Sequence, residues 1–207
     1  SQECSRKQKL QEKLHRVFHQ YGFEDIETPT FEYFEVFSKE VGTIPSRELY
    51  KFFDREGNTL VLRPDFTPSV SRACATYFNP EKEVVSLCYT GNTFINNSSF
   101  RGRLKETTQM GVERMGDDSP EADAEILAMT VECLLATGLT EFQVSVGQVD
   151  YYKAIFAQTG MSQEEEEELR ELISQKNYFG VEELVKNKNM DKSLARVLSQ
   201  LPQMFGS

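Results

Sequence analysis

A chain of 207 residues with 39% hydrophobic residues, including 15 Phe and 8 Tyr, has enough apolar mass for one sizeable domain and a smaller appendage. Its 23 Lys and Arg against 33 Asp and Glu leave a net charge of −10, so phosphate backbones are repelled overall and no nucleic-acid partner is expected. No apolar run of about 18 residues occurs, so no membrane span is expected, and the polar start SQECSRKQKL lacks the apolar stretch of a signal peptide.

In chain order, residues 6–21 place Leu10, Leu14, Val17, Phe18 and Tyr21 at helical spacing, with Gly22 as a C-terminal cap. His15 and His19 lie four apart on that helix. Such a pair can bind a metal, but no third ligand is signalled nearby, so the expectation is a solvated helix face and no metal. An alternating stretch from Phe23 to Thr28 is interrupted by Pro29, and Phe31, Phe34 and Phe37 then read as a short helix or turn. Leu49–Asp54 and Thr59–Arg63 predict a hairpin turning at Arg55-Glu56-Gly57-Asn58. Pro64 and Pro68 mark a turn, with Thr67 or a neighbour capping a helix over 68–78. Strands follow over 83–94 and 103–114. Ser119, Pro120 and Gly138 bracket a strong helix. EFQVSVGQV reads as a further strand and DYYKAIFAQTG as the start of a helix. After Gly160 the pattern predicts three or four short helices, with Ser162 capping the acidic run Glu164–Glu168 as a solvated helix start. Cys4, Cys74, Cys88 and Cys133 are scattered with no CxxC, which suits free thiols in a reducing cytoplasm. The expectation is therefore an α+β core over 1–160, built on an antiparallel sheet, and a helical appendage over 161–207.

Two segments carry the chemistry. One is Arg63-Pro64-Asp65-Phe66-Thr67-Pro68, a strand end running into a helix start. The other is a strand with Arg103, Lys105, Thr107, Gln109, Gly111 and Glu113 on one face and Leu104, Met110 and Val112 on the other. Gln109 and Glu113 stand about 13 Å apart at Cα, with Gly111 between them as a bare patch of backbone on which a small ligand would lie. One amide and the carboxylates of Asp65 and Glu113 suit a ligand with an ammonium group and a polar side chain. Alternation by itself equally describes the solvated outer face of a sheet.

The motifs LRPDFT, YTGNTF, GRLKETTQMGVERMG and EADAEI, in that order, resemble the histidyl-tRNA synthetase-like class II fold. The upstream YGFEDIETPTFEYFEVF is similar to that fold's first motif, with Pro29 as its proline. The resemblance covers roughly residues 6–155. Within the group, ELYKFFDREGNTLVLRPDFTPSVSR is most similar to the regulatory subunits of ATP phosphoribosyltransferase, synthetase paralogues of histidine biosynthesis. The resemblance implies a six-stranded antiparallel sheet flanked by helices and a small helical insertion. It also implies a dimer through the first motif and a complex with short-form catalytic subunits. Asp65, Thr67, Gln109 and Glu113 match positions that hold histidine, with Asp65 in place of a glutamate. Arg103 matches too, and its implied role is to position the loop. Ile95 stands where synthetases carry the arginine that grips the ATP α-phosphate, and Asn97 replaces a glutamate. The resemblance thus implies a non-catalytic, cofactor-free regulatory subunit with histidine as effector. The competing readings are a histidyl-tRNA synthetase fragment and a scaffold that has lost ligand binding. Family members continue to a histidine-specific motif and a third class II motif. Neither occurs before Ser207, so an N-terminal portion with an incomplete pocket is expected.

Overall fold

The computed structural model describes residues 1–38, 44–97, 102, 104–188 and 191–200. They group into two compact units, Ser1–Gln143 and Val144–Ser207.

The first unit opens with α1 (Gln2–Gln20), whose apolar stripe turns Val17 and Phe18 into the core. It stops in a left-handed turn: Gly22 has φ +78° and the Phe23 N–H reaches back to the Phe18 carbonyl at 3.1 Å. β1 (Glu24–Asp25) follows, then β2 (Phe31–Tyr33) and α2 (Phe34–Ser38). The predicted hairpin forms as β3 (Lys51–Phe53) and β4 (Thr59–Leu62). Gly57 supplies the turn's positive φ of +85°, and Asp54 accepts from the Asn58 N–H at 2.8 Å. α3 (Thr67–Tyr77), β5 (Val85–Phe94), β6 (Glu106–Met115) and α4 (Pro120–Thr137) complete the unit. Ser119 caps α4, and Gly138 ends it at φ +94°.

The α+β class holds, with two differences from the single six-stranded antiparallel sheet that was expected. The described strands form two three-stranded sheets, ordered β1-β5-β6 and β2-β4-β3. β1 runs parallel to β5, Asp25 opposite Cys88, because the chain crosses through β2–β4 and α3 before returning. The β5–β6 pairing sets Tyr89 opposite Gly111 and Gly91 opposite Gln109.

The pleat then decides which face each side chain serves. Val85, Leu87 and Tyr89 pack under Phe66, Val70 and Cys74 of the α3 segment. Cys88 faces the other way, into a cluster with Val17, Phe18, Phe23 and Met129, against which Met110 and Val112 pack. Met110 and Val112 on the predicted apolar side of β6 are thus covered by α1 and α4, whereas Leu104, predicted on the same side, precedes the strand and is exposed.

Phe31, Phe34 and Phe37 are not equivalent. Phe37 is buried with Leu49 and Val61, and Phe34 packs beside them. Phe31 and Tyr33 remain about half exposed, at 49% and 53%. Phe34 and Phe37 lie on α2, whereas β2 residues 31 and 33 share one strand face and Glu32 turns inward to an ion pair with Arg72 at 2.7 Å.

One side chain joins the two sheets. Arg63 follows β4, its N–H bonds the Thr30 carbonyl, and its carbonyl accepts the Phe94 N–H at 3.0 Å. Its guanidinium is buried. Nε donates to the Asn92 carbonyl and Nη1 to the Thr28 carbonyl, each at 2.8 Å, with Pro29 at 3.3 Å.

The second unit contains α5 (Val149–Phe156), α6 (Gln163–Ser174), α7 (Tyr178–Asn187) and α8 (Lys192–Gln200). Ile155, Phe156, Leu169, Val181, Val185 and Leu198 form its core. Because Ile155 and Phe156 are part of that core, α5 groups with the helical unit and not with residues 1–143. Ser162 caps α6 through a reciprocal capping box with Glu165, as the acidic run predicts. The strand predicted at EFQVSVGQV does not form: residues 142–148 have neither helix nor strand, and Val146 is exposed. Strand propensity is realised only in pairing with another strand, and none of the described strands pairs with this stretch.

Arg63→Lys keeps the charge but loses the fork that reaches the β2 segment and β5 together. The variant is expected to lose about 2 kcal/mol of stability, the worth of one charge-assisted hydrogen bond. Urea unfolding checks this as a lowered midpoint at unchanged slope.

A candidate amino-acid pocket on the α3 face of the sheet

The residues singled out in the sequence meet where β4 runs into α3 and both lie over β5–β6. Pro68 occupies the first turn of α3, whose N-cap Phe66 has no capping side chain. The Thr67 hydroxyl, expected as a cap, instead donates to Glu113 Oε1 at 2.6 Å. Asp65 Oδ1 accepts the Phe66 N–H at 2.7 Å and the Gln109 amide at 3.3 Å. The four residues therefore form two couples, Thr67 with Glu113 and Asp65 with Gln109.

Tyr89 stands between the couples, and the sequence did not single it out. Its hydroxyl donates to Glu113 Oε1 at 3.4 Å and accepts from the Gln109 amide at 3.5 Å, both long bonds. Its ring stacks on Phe66 with centroids 4.3 Å apart. This corrects the reading of Gly111 as bare backbone awaiting a ligand. A Cβ at residue 111 would stand 2.4 Å from the Tyr89 hydroxyl and 2.6 Å from its ring. The glycine makes room for the tyrosine lying across it. Gly91 serves the same purpose at the next pair on this face, where a Cβ would stand 2.6 Å from Arg63 Nη2 and 2.7 Å from Phe66. The signal available in the sequence was the pairing itself: a tyrosine placed opposite a glycine across a hairpin.

Burial pushes the Glu113 carboxyl above its usual range, and the neighbouring Asp65 charge adds to this. The Thr67 and Tyr89 hydroxyls oppose the shift by stabilising the carboxylate. Burial, reinforced by the charges of Glu113 and Asp65, also raises the Tyr89 phenol, so it stays protonated as a donor. The site thus offers two partly buried carboxyl groups, one amide and two hydroxyls on an aromatic floor. A small cation with hydrogen-bonding groups would relieve the mutual repulsion of the two acids. Arg103 lies outside the described residues.

On the opposite face of the same sheet the structure brings Asp25 and Cys88 to His15 and His19. The two histidines are partly exposed, as expected, but each ring is engaged with Asp25.

A family model described as Histidyl-tRNA synthetase matches residues 1–207. The chain is 41% identical over 205 residues to the ATP phosphoribosyltransferase regulatory subunit of Acetivibrio thermocellus, covering 99% of this chain and 49% of that protein. It is 39% identical over 205 residues to the subunit of the same name from Ruminiclostridium cellulolyticum, covering 99% and 49%. Among solved structures it is similar to an ATP phosphoribosyltransferase regulatory subunit/histidyl-tRNA synthetase from Bacillus halodurans. The TM-score is 0.84 at 31% identity, over 97% of this chain and 52% of that one. The chain spans about half the length of the curated relatives it matches. With the family model matched from end to end, the chain belongs to the histidyl-tRNA synthetase family.

Proposed function

We propose that this chain belongs to a non-catalytic regulatory subunit of ATP phosphoribosyltransferase, serving the first step of histidine biosynthesis in the cytoplasm. One observation carries the reading: relatives at 35–41% identity over 99% of the chain bear that subunit's name. By that reading the partner is a short-form catalytic subunit, and histidine is the effector. The pocket supports it chemically. Asp65 and Gln109 suit an α-ammonium group, and Glu113, held by Thr67 and Tyr89, suits an imidazole N–H.

The reading also separates regulation from catalysis. Activation of an amino acid on ATP needs a cation where charge develops on the α-phosphate. By the motif spacing that position is Ile95, whose backbone N–H closes the β5–β6 ladder on the Lys105 carbonyl at 2.9 Å. An aliphatic side chain there supplies no such charge. The full-length protein is therefore expected to show no histidine-dependent pyrophosphate exchange above a no-enzyme control. Exchange above that control would return the chain to the synthetase reading.

Self-association through the first-motif region belongs to the same proposal. Phe31 and Tyr33 expose aromatic surface on one face of β2, and Phe31 packs edge-on against Phe52 at 5.6 Å. Such surface favours a protein partner over water. Sedimentation of the full-length protein is expected to give a dimer, shifted toward monomer by Phe31→Ser with Tyr33→Ser; a wild-type monomer at high concentration counts against it.

The histidine role is tested at the two carboxyl groups. A hydrogen bond to a charged group contributes about 1.5–3 kcal/mol, roughly ten- to a hundred-fold in affinity. Glu113→Gln or Asp65→Asn, in the full-length protein with its catalytic partner, should blunt histidine inhibition by that factor and leave assembly intact. Histidine should also bind the inhibited assembly more tightly than the active one, because linkage is reciprocal. An inhibition curve unmoved by both substitutions would make the pocket a relic and the chain a scaffold.

A further inference from the structure

The sheet face opposite the pocket carries a cluster that the regulatory reading does not use. His15 and His19 are four residues apart on α1, so their rings lie side by side with centroids 4.1 Å apart. Asp25 of β1 reaches between them: Oδ1 is 2.6 Å from His15 Nε2 and Oδ2 is 2.9 Å from His19 Nε2. Cys88, opposite Asp25 in the parallel pair, points its thiol to the same carboxylate at 3.5 Å. The four donor atoms all lie within 4.8 Å of one another.

We propose that His15, His19, Asp25 and Cys88 form a binding site for one zinc ion. Two imidazole nitrogens, one carboxylate oxygen and one thiolate sulfur are the donor types that zinc accepts, in the number a tetrahedral site requires. Bond lengths of about 2.0–2.3 Å place such donors roughly 3.3–3.8 Å apart. The present His–Asp distances are shorter because each is set by a direct hydrogen bond. The His–Asp pairs must part by roughly half an ångström, and the wider donor pairs, up to 4.8 Å apart, must draw in toward the tetrahedral spacing just given. The side chains that must move are accessible: His15, His19 and Asp25 are 41%, 46% and 58% exposed. Cys88 is fully buried and supplies the fixed corner. An open groove lined by Glu12, His15, Asp25, Glu27 and Thr90 gives the ion a way in, with two further carboxylates along it. On binding, zinc takes both Nε2 lone pairs, leaving the ring protons on Nδ1. It replaces the thiol proton of Cys88, which leaves to solvent. The bound ion joins α1, β1 and β5 at one point.

Untagged full-length protein, stripped with a chelator and dialysed into metal-free buffer, is titrated with Co2+ and then Zn2+. The expected result is one ion per chain, a thiolate-to-cobalt charge-transfer band in the near ultraviolet, and loss of that band as zinc displaces cobalt. Cys88→Ser should abolish the band. Because serine at a buried position risks the fold itself, His19→Gln is the second variant. It should weaken zinc binding at least tenfold with an unchanged circular dichroism spectrum. The proposal is overturned if the wild-type protein gives no thiolate band, or if His19→Gln binds zinc as tightly as wild type. Either result leaves the cluster as a carboxylate clasped by two histidines.

Discussion

Arg63 is the constraint on which the first unit depends. Its buried guanidinium donates to the backbone carbonyls of Thr28, Pro29 and Asn92 and, at 3.5 Å, to the Thr28 hydroxyl. Burial lowers its pKa, with the Glu27 charge opposing the shift. A buried cation is costly unless hydrogen-bonded, so those carbonyls cannot be released without leaving both partners unsatisfied. The same side chain lies 4.0 Å over the Phe66 ring, which stacks on Tyr89, which lies across Gly111. One residue thus joins the two sheets and sets the floor of the pocket. Gly91 belongs to the same device, since any larger residue would displace the guanidinium or the Phe66 ring.

The β1-β5-β6 sheet presents different chemistry on its two sides. Consecutive residues of β5 serve opposite faces: Cys88 turns toward α1 and Tyr89 toward α3. The α3 face gathers two carboxyl groups with hydroxyl and amide donors, a setting for a small polar cation. The α1 face gathers two imidazoles, a carboxylate and a thiol, a setting for a metal ion. A one-residue slip of β6 against β5 would turn Gln109 and Glu113 to the α1 face, whereas the α1-face set depends on the β1–β5 pairing of Asp25 with Cys88. The ten consecutive pairs from Val85–Met115 to Phe94–Glu106 hold the β5–β6 register.

The helical unit rests on a simpler basis. Its core is aliphatic with one phenylalanine, and its helices start from local caps: Gln148 for α5, Ser162 for α6 and Asn177 for α7. Each cap acts within a few residues of its own position, which is why this region was readable from its sequence. Where an element needed a distant neighbour, the sequence was a poorer guide. The stretch EFQVSVGQV has the alternation of a strand, yet alternation only marks a preference for a sheet edge.

The sequence by itself determined what short-range physics controls: α1, α3, α4 and the capped helices after Gly160, the hairpin turn at Gly57, and the two faces of β6. Motif order identified the fold class; strand period put Gln109 and Glu113 on one face, and the resemblance added Asp65 and Thr67, but their pairing as Thr67 with Glu113 and Asp65 with Gln109 came from the structure. Only the tertiary structure decided the rest. Tyr89 became a pocket residue because a cross-strand pair set it against Gly111. Thr67 became the first residue of α3, with Phe66 at the cap position, and its hydroxyl donates to the Glu113 carboxylate on β6. Phe31 was left exposed by the face it takes in the β2–β4 pairing, and Phe37 of α2 was buried against the distant Leu49 and Val61. Asp25 and Cys88 reached His15 and His19 through a parallel pairing across 63 residues of chain. Contacts of that separation leave no local pattern, since they depend on which strands pair and in which register, and that is settled by packing of the whole unit.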